Sequence, residues 1–481
     1  MVPRRCGTVT LSLMKTTPGG AAGNWVAPPS FTELAAEGRA ARTRTPRGLL
    51  AELSAERREP MAILDEQDTT RVAELIPLRN RRMAASAFAF FRGTAALMAA
   101  DLANSPGTDL RVGSCGDAHV SNFGLYASPQ RTLVFDLNDF DEAAWAPWEW
   151  DVKRLVTSIV IAGQSTSRDD RVVEESALAA VRTYAHALRT GAGRSSLARY
   201  FDRFDAEAAR DAYPEARKPL RAAIRAAEKH TGDWAAERLT VTDDHGRRVF
   251  IDDPPKVVHV DEDTGRRVRE VYLDYVHSAQ VDIRVLLQKY AISDVVRRVV
   301  GVGSVGTRCY VLALQDGDGH TMLLQAKEAG RSALIRYGGV PQPEAVSRYI
   351  DQYGDGGRVV AMQRILQAVS DPFLGHLRGT PSGGGEERAF YVRQFHDKKG
   401  GFDMDTLEDD AFGWYAQVCA ATIARAHGQS PAASAVVGYV GGGRAVGEAI
   451  MKWSYAYADV SRADWELFRS HRGVADDPAA P

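Results

Sequence analysis

Two neighbouring stretches, Gly116-Asp117-Ala118-His119-Val120-Ser121-Asn122 and Asn138-Asp139-Phe140-Asp141, decide what kind of chain this is. An aspartate and an asparagine on one tight loop place a proton acceptor beside a metal ligand, and a later aspartate after a buried strand completes a Mg²⁺ site. Thr132-Leu133-Val134-Phe135, a short apolar run bounded by turn residues, reads as that strand. Asp117, Asn122 and Asp139 are the candidate catalytic residues, and Asn122, Asp139 and Asp141 the candidate metal ligands. Glu142 is an alternative to Asp141, and Asp136 a rival ligand at the strand end. His119 reads as a brace of the loop. Asp and Asn also stabilise turns through their own side chains. It is the ordered set that points to phosphoryl transfer.

Further along, Gly301-Val302-Gly303-Ser304-Val305-Gly306 precedes two strands, Cys309 to Leu314 and Met322 to Ala326, joined by the Asp316-Gly317-Asp318-Gly319 turn and ending at Lys327. Glycines let backbone N–H groups approach phosphate oxygens, and a lysine on a strand fixes one positive charge there. Gly301, Gly303, Ser304, Val305, Gly306 and Lys327 are the candidate nucleotide-binding residues. No helix follows the glycines, so the context of a dinucleotide fold is missing.

The rest of the chain sets bounds. Its 481 residues allow several domains, and 44% hydrophobic with 25% charged residues is an ordinary globular balance. Sixty Lys plus Arg against sixty-two Asp plus Glu give a net charge of −2, which offers no basic field for a nucleic-acid backbone. Four scattered cysteines suit neither a disulfide framework nor zinc. No apolar run is long enough for a membrane helix, and no secretion signal opens the chain, so a cytoplasmic protein is expected. Residues 1–45 read as a flexible leader. Helices are expected over Arg82 to Asn104, Glu174 to Thr190, Ser196 to Ala206, Ala216 to His230, Val271 to Tyr290, Gly357 to Val369 and Asp409 to His427, with a strand over Ala389 to Phe395.

Gly116-Asp117-x-His119-x-x-Asn122 with Asp139-Phe140-Asp141 resembles the catalytic and metal loops of aminoglycoside phosphotransferase and choline kinase-like enzymes. Cys115 stands where their motif has its leading histidine, and Asp151 where they place a helix-start aspartate that braces the loop. More widely, Phe91-Arg92-Gly93, Cys115 to Gly124, Asn138 to Ala143, Trp148 to Arg154, Val299 to Thr307 and Gln325 to Ala329 resemble the bacterial domain of unknown function 2252, assigned to the protein-kinase-like superfamily. The resemblance implies an α+β, bilobal protein-kinase-like fold that binds ATP and Mg²⁺. In such enzymes the glycine loop and lysine come before the catalytic loop, and here they come after it. A circularly permuted arrangement is therefore expected: a leader (1–45), a helical catalytic-loop lobe (46–290), a β-rich nucleotide-covering lobe (291–400) and helices returning to the catalytic lobe (401–481).

Kinase lysines pair with an acid on the next helix, but the helix from Gly357 has none. Gln363 and the upstream Glu344 are the nearest substitutes. Arg79, Arg81, Arg82, Arg92, Arg393 and Lys398-Lys399 are candidates for facing an anionic substrate, and Trp145, Trp148 and Trp150 for a substrate wall. The expected function is an ATP- and Mg²⁺-dependent phosphotransferase acting on a hydroxyl of a small molecule. Nucleotidyl (AMP) transfer at the same site and nucleotide sensing without turnover are the alternatives. The expected partners are a nucleotide and a small-molecule acceptor, without nucleic acid or membrane; the sequence leaves oligomeric state open.

Overall fold

The computed structural model describes residues 27–54, 58–380, 386–395 and 400–474. Five helices come first: α1 (Phe31–Arg44), α2 (Pro60–Asp68), α3 (Ile76–Ala84), α4 (Ala87–Arg92) and α5 (Ala95–Asn104). α1 corrects the flexible leader over its last part. It starts at a capping box in which the Ser30 hydroxyl accepts from Glu33 N at 3.3 Å and the Glu33 carboxylate accepts from Ser30 N at 2.7 Å. The single helix expected over Arg82 to Asn104 is divided into three. The Ser86 hydroxyl accepts from Ala89 N at 3.0 Å and starts α4 afresh, and Gly93 ends it.

Strands β1 (Arg111–Ser114), β2 (Phe123–Ala127), β3 (Leu133–Leu137) and β4 (Ala144–Pro147) carry the chain into α6 (Trp148–Ser165) and α7 (Asp170–Ala192). β1 pairs with β4, Ser114 opposite Ala144, and β2 pairs with β3, Phe123 opposite Leu137. The loops 115–122 and 138–143 therefore run between the same two ladders. Next come α8 (Ser196–Tyr200), β5 (Phe204–Asp205), α9 (Ala206–Ala212), α10 (Arg217–Lys229) and α11 (Gly232–Leu239). The helix expected over Ser196 to Ala206 stops at Tyr200, and β5 then joins β3.

The sheet layer contains β6 (Thr240–Thr242), β7 (Arg248–Phe250), β8 (Val257–His259), α12 (Glu262–Ser278), α13 (Val281–Leu287), β9 (Ala291–Arg298), β10 (Cys309–Gln315) and β11 (Thr321–Glu328). It continues through α14 (Ala333–Arg336), α15 (Glu344–Leu366), β12 (Gly375–Gly379) and β13 (Arg388–Gln394). Its main sheet has the order β12-β13-β11-β10-β9-β8. The boundary expected at residue 291 falls too late, because β8 hydrogen-bonds to β9 and α12 packs on the sheet. The helix expected over Val271 to Tyr290 is two: α12 starts at its Asp261 cap and stops at Ser278, and α13 follows. α15 begins well before Gly357 and kinks at Gly354, where φ is +70°.

Alternation along the strands gives the sheet two faces. Leu324, Ala326, Phe390 and Val392 pack with Tyr275 of α12 in one apolar cluster. Gln325, Lys327, Tyr391 and Arg393 take the opposite face, with Lys327 across from Tyr391 and Gln325 across from Arg393. The chain closes with α16 (Asp409–His427), α17 (Ala433–Val440) and α18 (Arg444–His471). The largest core joins β1–β3, α6, α7 and α16. No helix among the described residues is long and apolar enough to cross a membrane.

α1 and α17 cross with their backbones nearly touching. A Cβ on Gly38 would lie 1.8 Å from the Ala435 carbonyl oxygen, and one on Gly438 would lie 2.0 Å from that of Ala35. Gly438→Ala is expected to cost about 2–3 kcal/mol, the scale of overpacking a tight contact. Urea unfolding checks this, and a change within about 0.5 kcal/mol would mean that the crossing opens freely.

Candidate active site

One face of α6 holds the loop 115–122, because positions 151, 154 and 158 fall together at helical spacing. The Asp151 carboxylate accepts from Cys115 N at 2.7 Å and Gly116 N at 2.9 Å. Behind it, His427 Nε2 lies 3.2 Å from Asp151, and the Tyr184 hydroxyl lies 2.9 Å from His427 Nδ1. Arg154 Nε donates to Asp117 Oδ1 at 2.9 Å, Nη2 donates to Phe91 O at 2.7 Å, and the guanidinium lies over the Phe91 ring at 3.9 Å. The Ser158 hydroxyl accepts from Val120 N at 3.0 Å. From α16, the Tyr415 hydroxyl donates to Val120 O at 2.7 Å. The loop is fixed at its start, middle and end by side chains from rigid helices.

Gly116 is the one position in the loop where only glycine fits. Its φ is +81°, and a Cβ would lie 2.2 Å from the Glu142 carbonyl oxygen of the adjoining loop. Asn122 ties those two loops together, its Nδ2 donating to Asp117 O at 2.9 Å and Asp139 O at 3.2 Å. Metal ligation by Asn122 would therefore fall to Oδ1. The Cys115 thiol lies 3.4 Å from Asp139 O, and burial pushes its pKa well above the ordinary thiol value. It remains a neutral filler.

Lys327 comes from the sheet to meet this pair of loops. Its Nζ is in contact with Asp141 Oδ2 and 3.5 Å from Asp139 Oδ2. Burial alone would pull the lysine pKa down, but the two carboxylates override it and hold the pKa well above the usual value. Burial, with Asp139 adding to it and Lys327 opposing it, pushes the Asp141 pKa up. Asp141 Oδ1 is buried with no hydrogen-bond partner. The acid partners of Lys327 thus come from the loop 138–143 and not from α15. Gln363 is instead bonded to Gln367 at 2.9 Å, and Glu344 pairs with Arg348 at 2.7 Å near the surface.

Asp117, Asn122, Asp139 and Asp141 border a cleft of about 520 Å³ that also takes in Arg71, Arg92, Glu142, Gly301, Gly303 and Ser304. The glycine loop is pinned over it. Arg82 Nη1 donates to Gly301 O at 2.6 Å, Arg71 Nη1 to Val305 O at 2.5 Å, and Val72 N to Gly306 O at 2.8 Å. Gly301, Gly303 and Ser304 line the cleft, whereas Val305 is fully buried and Gly306 packs on Arg71. Lys327 does not line it either, since Asp139 and Asp141 stand between the amine and the opening.

Several expected residues have other work. Asp136 is buried away from the cleft, accepting from Leu137 N at 2.8 Å and Ala368 N at 2.7 Å, which removes it as a rival ligand. Glu142 lines the cleft with its carboxylate on Ala333 N at 2.5 Å, and burial pushes its pKa up to about 7. His119 has its pKa pushed down to about 4 by burial, so its ring is neutral at neutral pH, with Nε2 3.6 Å from Asp117 Oδ2. Arg79 is buried on Asp68 at 3.1 Å, and Arg393 donates to Gln325 at 3.1 Å and Asn138 O at 3.3 Å. Lys398 and Lys399 lie outside the described residues. Trp148 stacks on Tyr184, Trp150 packs on Gly338, and none of the three tryptophans lines the cleft. They are packing residues.

Two residues that the sequence reading passed over complete the site. Arg154, one turn beyond Asp151 on α6, grips Asp117, and helical spacing from Asp151 was the available signal. Arg358 is buried on α15 and donates to Asp355 at 2.6 Å and to the carbonyls of Ala143, Asp141 and Gly330 at 2.6, 2.8 and 2.9 Å. It fastens the metal loop to the segment that follows β11. Nothing in the pattern around Arg358 marks it out. No curated protein and no solved structure matches the chain. Residues 71–471, which hold the loops 115–122 and 138–143, the glycine loop and Lys327, match the family described as "Uncharacterized protein conserved in bacteria (DUF2252)", and the chain belongs to that family.

Proposed function

We propose that this protein is an ATP- and Mg²⁺-dependent phosphotransferase of kinase-like architecture, acting on a hydroxyl of a small molecule. The observation that carries the reading is the meeting of Lys327 with Asp139 and Asp141 beneath a glycine loop, from segments far apart in the chain. Supporting it, the strand order β12-β13-β11-β10-β9, with glycines between β9 and β10 and the lysine on β11, fits a nucleotide-covering sheet. The catalytic loop precedes that sheet, and α16 reaches back to the loop through Tyr415 and His427. A circular permutation accounts for both, because a site depends on geometry and not on chain order.

The donor set suits Mg²⁺: two carboxylates and an amide oxygen, with the buried Oδ1 of Asp141 in want of a partner. Asn122, Asp139 and Asp141 would hold the ion, which when bound supplies charge neutralisation for the nucleotide phosphates. The chain's own groups do the rest. Asp117, turned by Arg154, is placed to accept or orient the proton of an attacking hydroxyl. The glycine loop excludes water above the phosphates. Lys327 lies against Asp139 and Asp141 and offsets their charge.

Asp139→Asn is expected to remove most of the Mg²⁺-dependent part of the rise in melting temperature with ATP, since one charged ligand becomes neutral. An undiminished rise would take Asp139 out of the metal site. The reading as a whole is tested by incubating the purified protein with ATP, Mg²⁺ and an acceptor panel. A product heavier by about 80 Da marks phosphoryl transfer, and one heavier by about 329 Da nucleotidyl transfer. The same melting rise with neither product nor ADP or AMP release would make it a nucleotide sensor. Among the described residues no acid of α15 pairs with Lys327, which favours keeping the sensor reading as the second one.

A further inference from the structure

Among the arginines that border the cleft, most are already engaged. Arg393 is bonded to Gln325 and Asn138 O, Arg336 reaches Glu66 at 2.5 Å, and Arg71 holds Val305 O. Arg331 is exposed at the rim. Arg92 differs from them. It lines the cleft, its Nε is buried with no acceptor in reach, and no hydrogen bond or ion pair ties its guanidinium to another described residue. It feels the charges of Asp117 and Asp139 without touching either. Its own carbonyl oxygen lies 3.5 Å from where a Cβ on Gly303 would stand, so the residue sits directly under the glycine loop.

A guanidinium whose Nε is shut off from water and given no acceptor, while the rest of the fork faces the cleft, is poorly satisfied unless a ligand supplies the acceptor. Its planar fork matches oxyanions that present two oxygens side by side. We propose that Arg92 is the anion-recognition residue of this cleft and receives a phosphate group there. This deepens the phosphotransferase reading and rests on its cleft, but it concerns binding and not turnover. The phosphate comes either from the tail of the nucleotide or from a phosphorylated acceptor, and the two sources are separable. Lys327, covered by Asp139 and Asp141, leaves this charge to be provided from the helical layer.

The test uses the full-length protein without added metal and two probes, inorganic tripolyphosphate for the nucleotide tail and glycerol phosphate for an acceptor monoester. Calorimetry and thermal melting are run on wild type, Arg92→Met and the milder Arg92→Gln. Both variants are expected to melt at or above the wild-type temperature without ligand and to bind the wild-type probe about ten- to a hundredfold more weakly, as for loss of a charged hydrogen-bonded contact. Loss for tripolyphosphate assigns the site to the nucleotide, and loss for glycerol phosphate assigns it to the acceptor. Undiminished affinity in both variants, no binding of either probe by wild type, or a fall in melting temperature in both variants would overturn the proposal. Turnover of ATP by variants with undiminished probe affinity would overturn it while leaving the phosphotransferase reading intact.

Discussion

Asp117→Asn is expected to lower ADP release from ATP by about 10²- to 10⁴-fold, the range associated with loss of a positioned proton acceptor, while leaving the melting rise with Mg²⁺ and ATP in place. The substitution is geometrically mild. The amide oxygen still accepts from Arg154, whose Nε lies 2.9 Å from Asp117 Oδ1, and Phe91 O continues to hold the other end of the guanidinium at 2.7 Å. The loop therefore keeps its place, and what disappears is the negative charge facing the cleft. Water serves as the default acceptor in this measurement until an alcohol is found. Turnover equal to wild type would remove Asp117 from the role of proton acceptor and leave it as a partner of Arg154.

Arg358→Met is expected to cost about 3–5 kcal/mol of stability, the scale for stripping one partner from a buried charged network. The methionine occupies a similar volume, so packing contributes little of the loss. The carbonyls of Ala143, Asp141 and Gly330 lose a donor at once, and the Asp355 carboxylate loses its counter-charge. Urea unfolding monitored by circular dichroism gives the value. A loss below about 1 kcal/mol would show that the carbonyls find other donors and that the metal loop is not held from α15.

Much of this was legible in the residues. Strands β10, β11 and β13 follow from apolar runs and turn residues, and α16 spans Asp409–His427 as its acidic start and basic end suggest. The loops at Asp117 and Asp139 were readable because short apolar runs separate them, and these fold as the hairpin β2–β3. Other features were out of reach for physical reasons. α1 has few apolar positions and is held by a glycine-to-backbone crossing with α17, which periodicity cannot register. The sheet layer starts before the expected boundary because β8, only Val257–His259, pairs with β9 across two intervening helices, which a reading of its own residues cannot register. The partners of Lys327 were sought on the neighbouring helix, and they come from the metal loop through a contact between distant parts of the chain. Arg154 and Arg358 look like any other arginine until the fold surrounds them.

The three grips that α6 keeps on the loop at Cys115, Gly116, Asp117 and Val120 involve no residue of the six-stranded sheet. Lys327 and Arg358, by contrast, reach across from that layer. If the two layers part to admit a ligand, the strain falls on those crossing contacts, and the loop 115–122 travels with the helices as one piece. Under the phosphotransferase reading, the alignment of Asp117 and Asn122 is thereby insulated from any such opening.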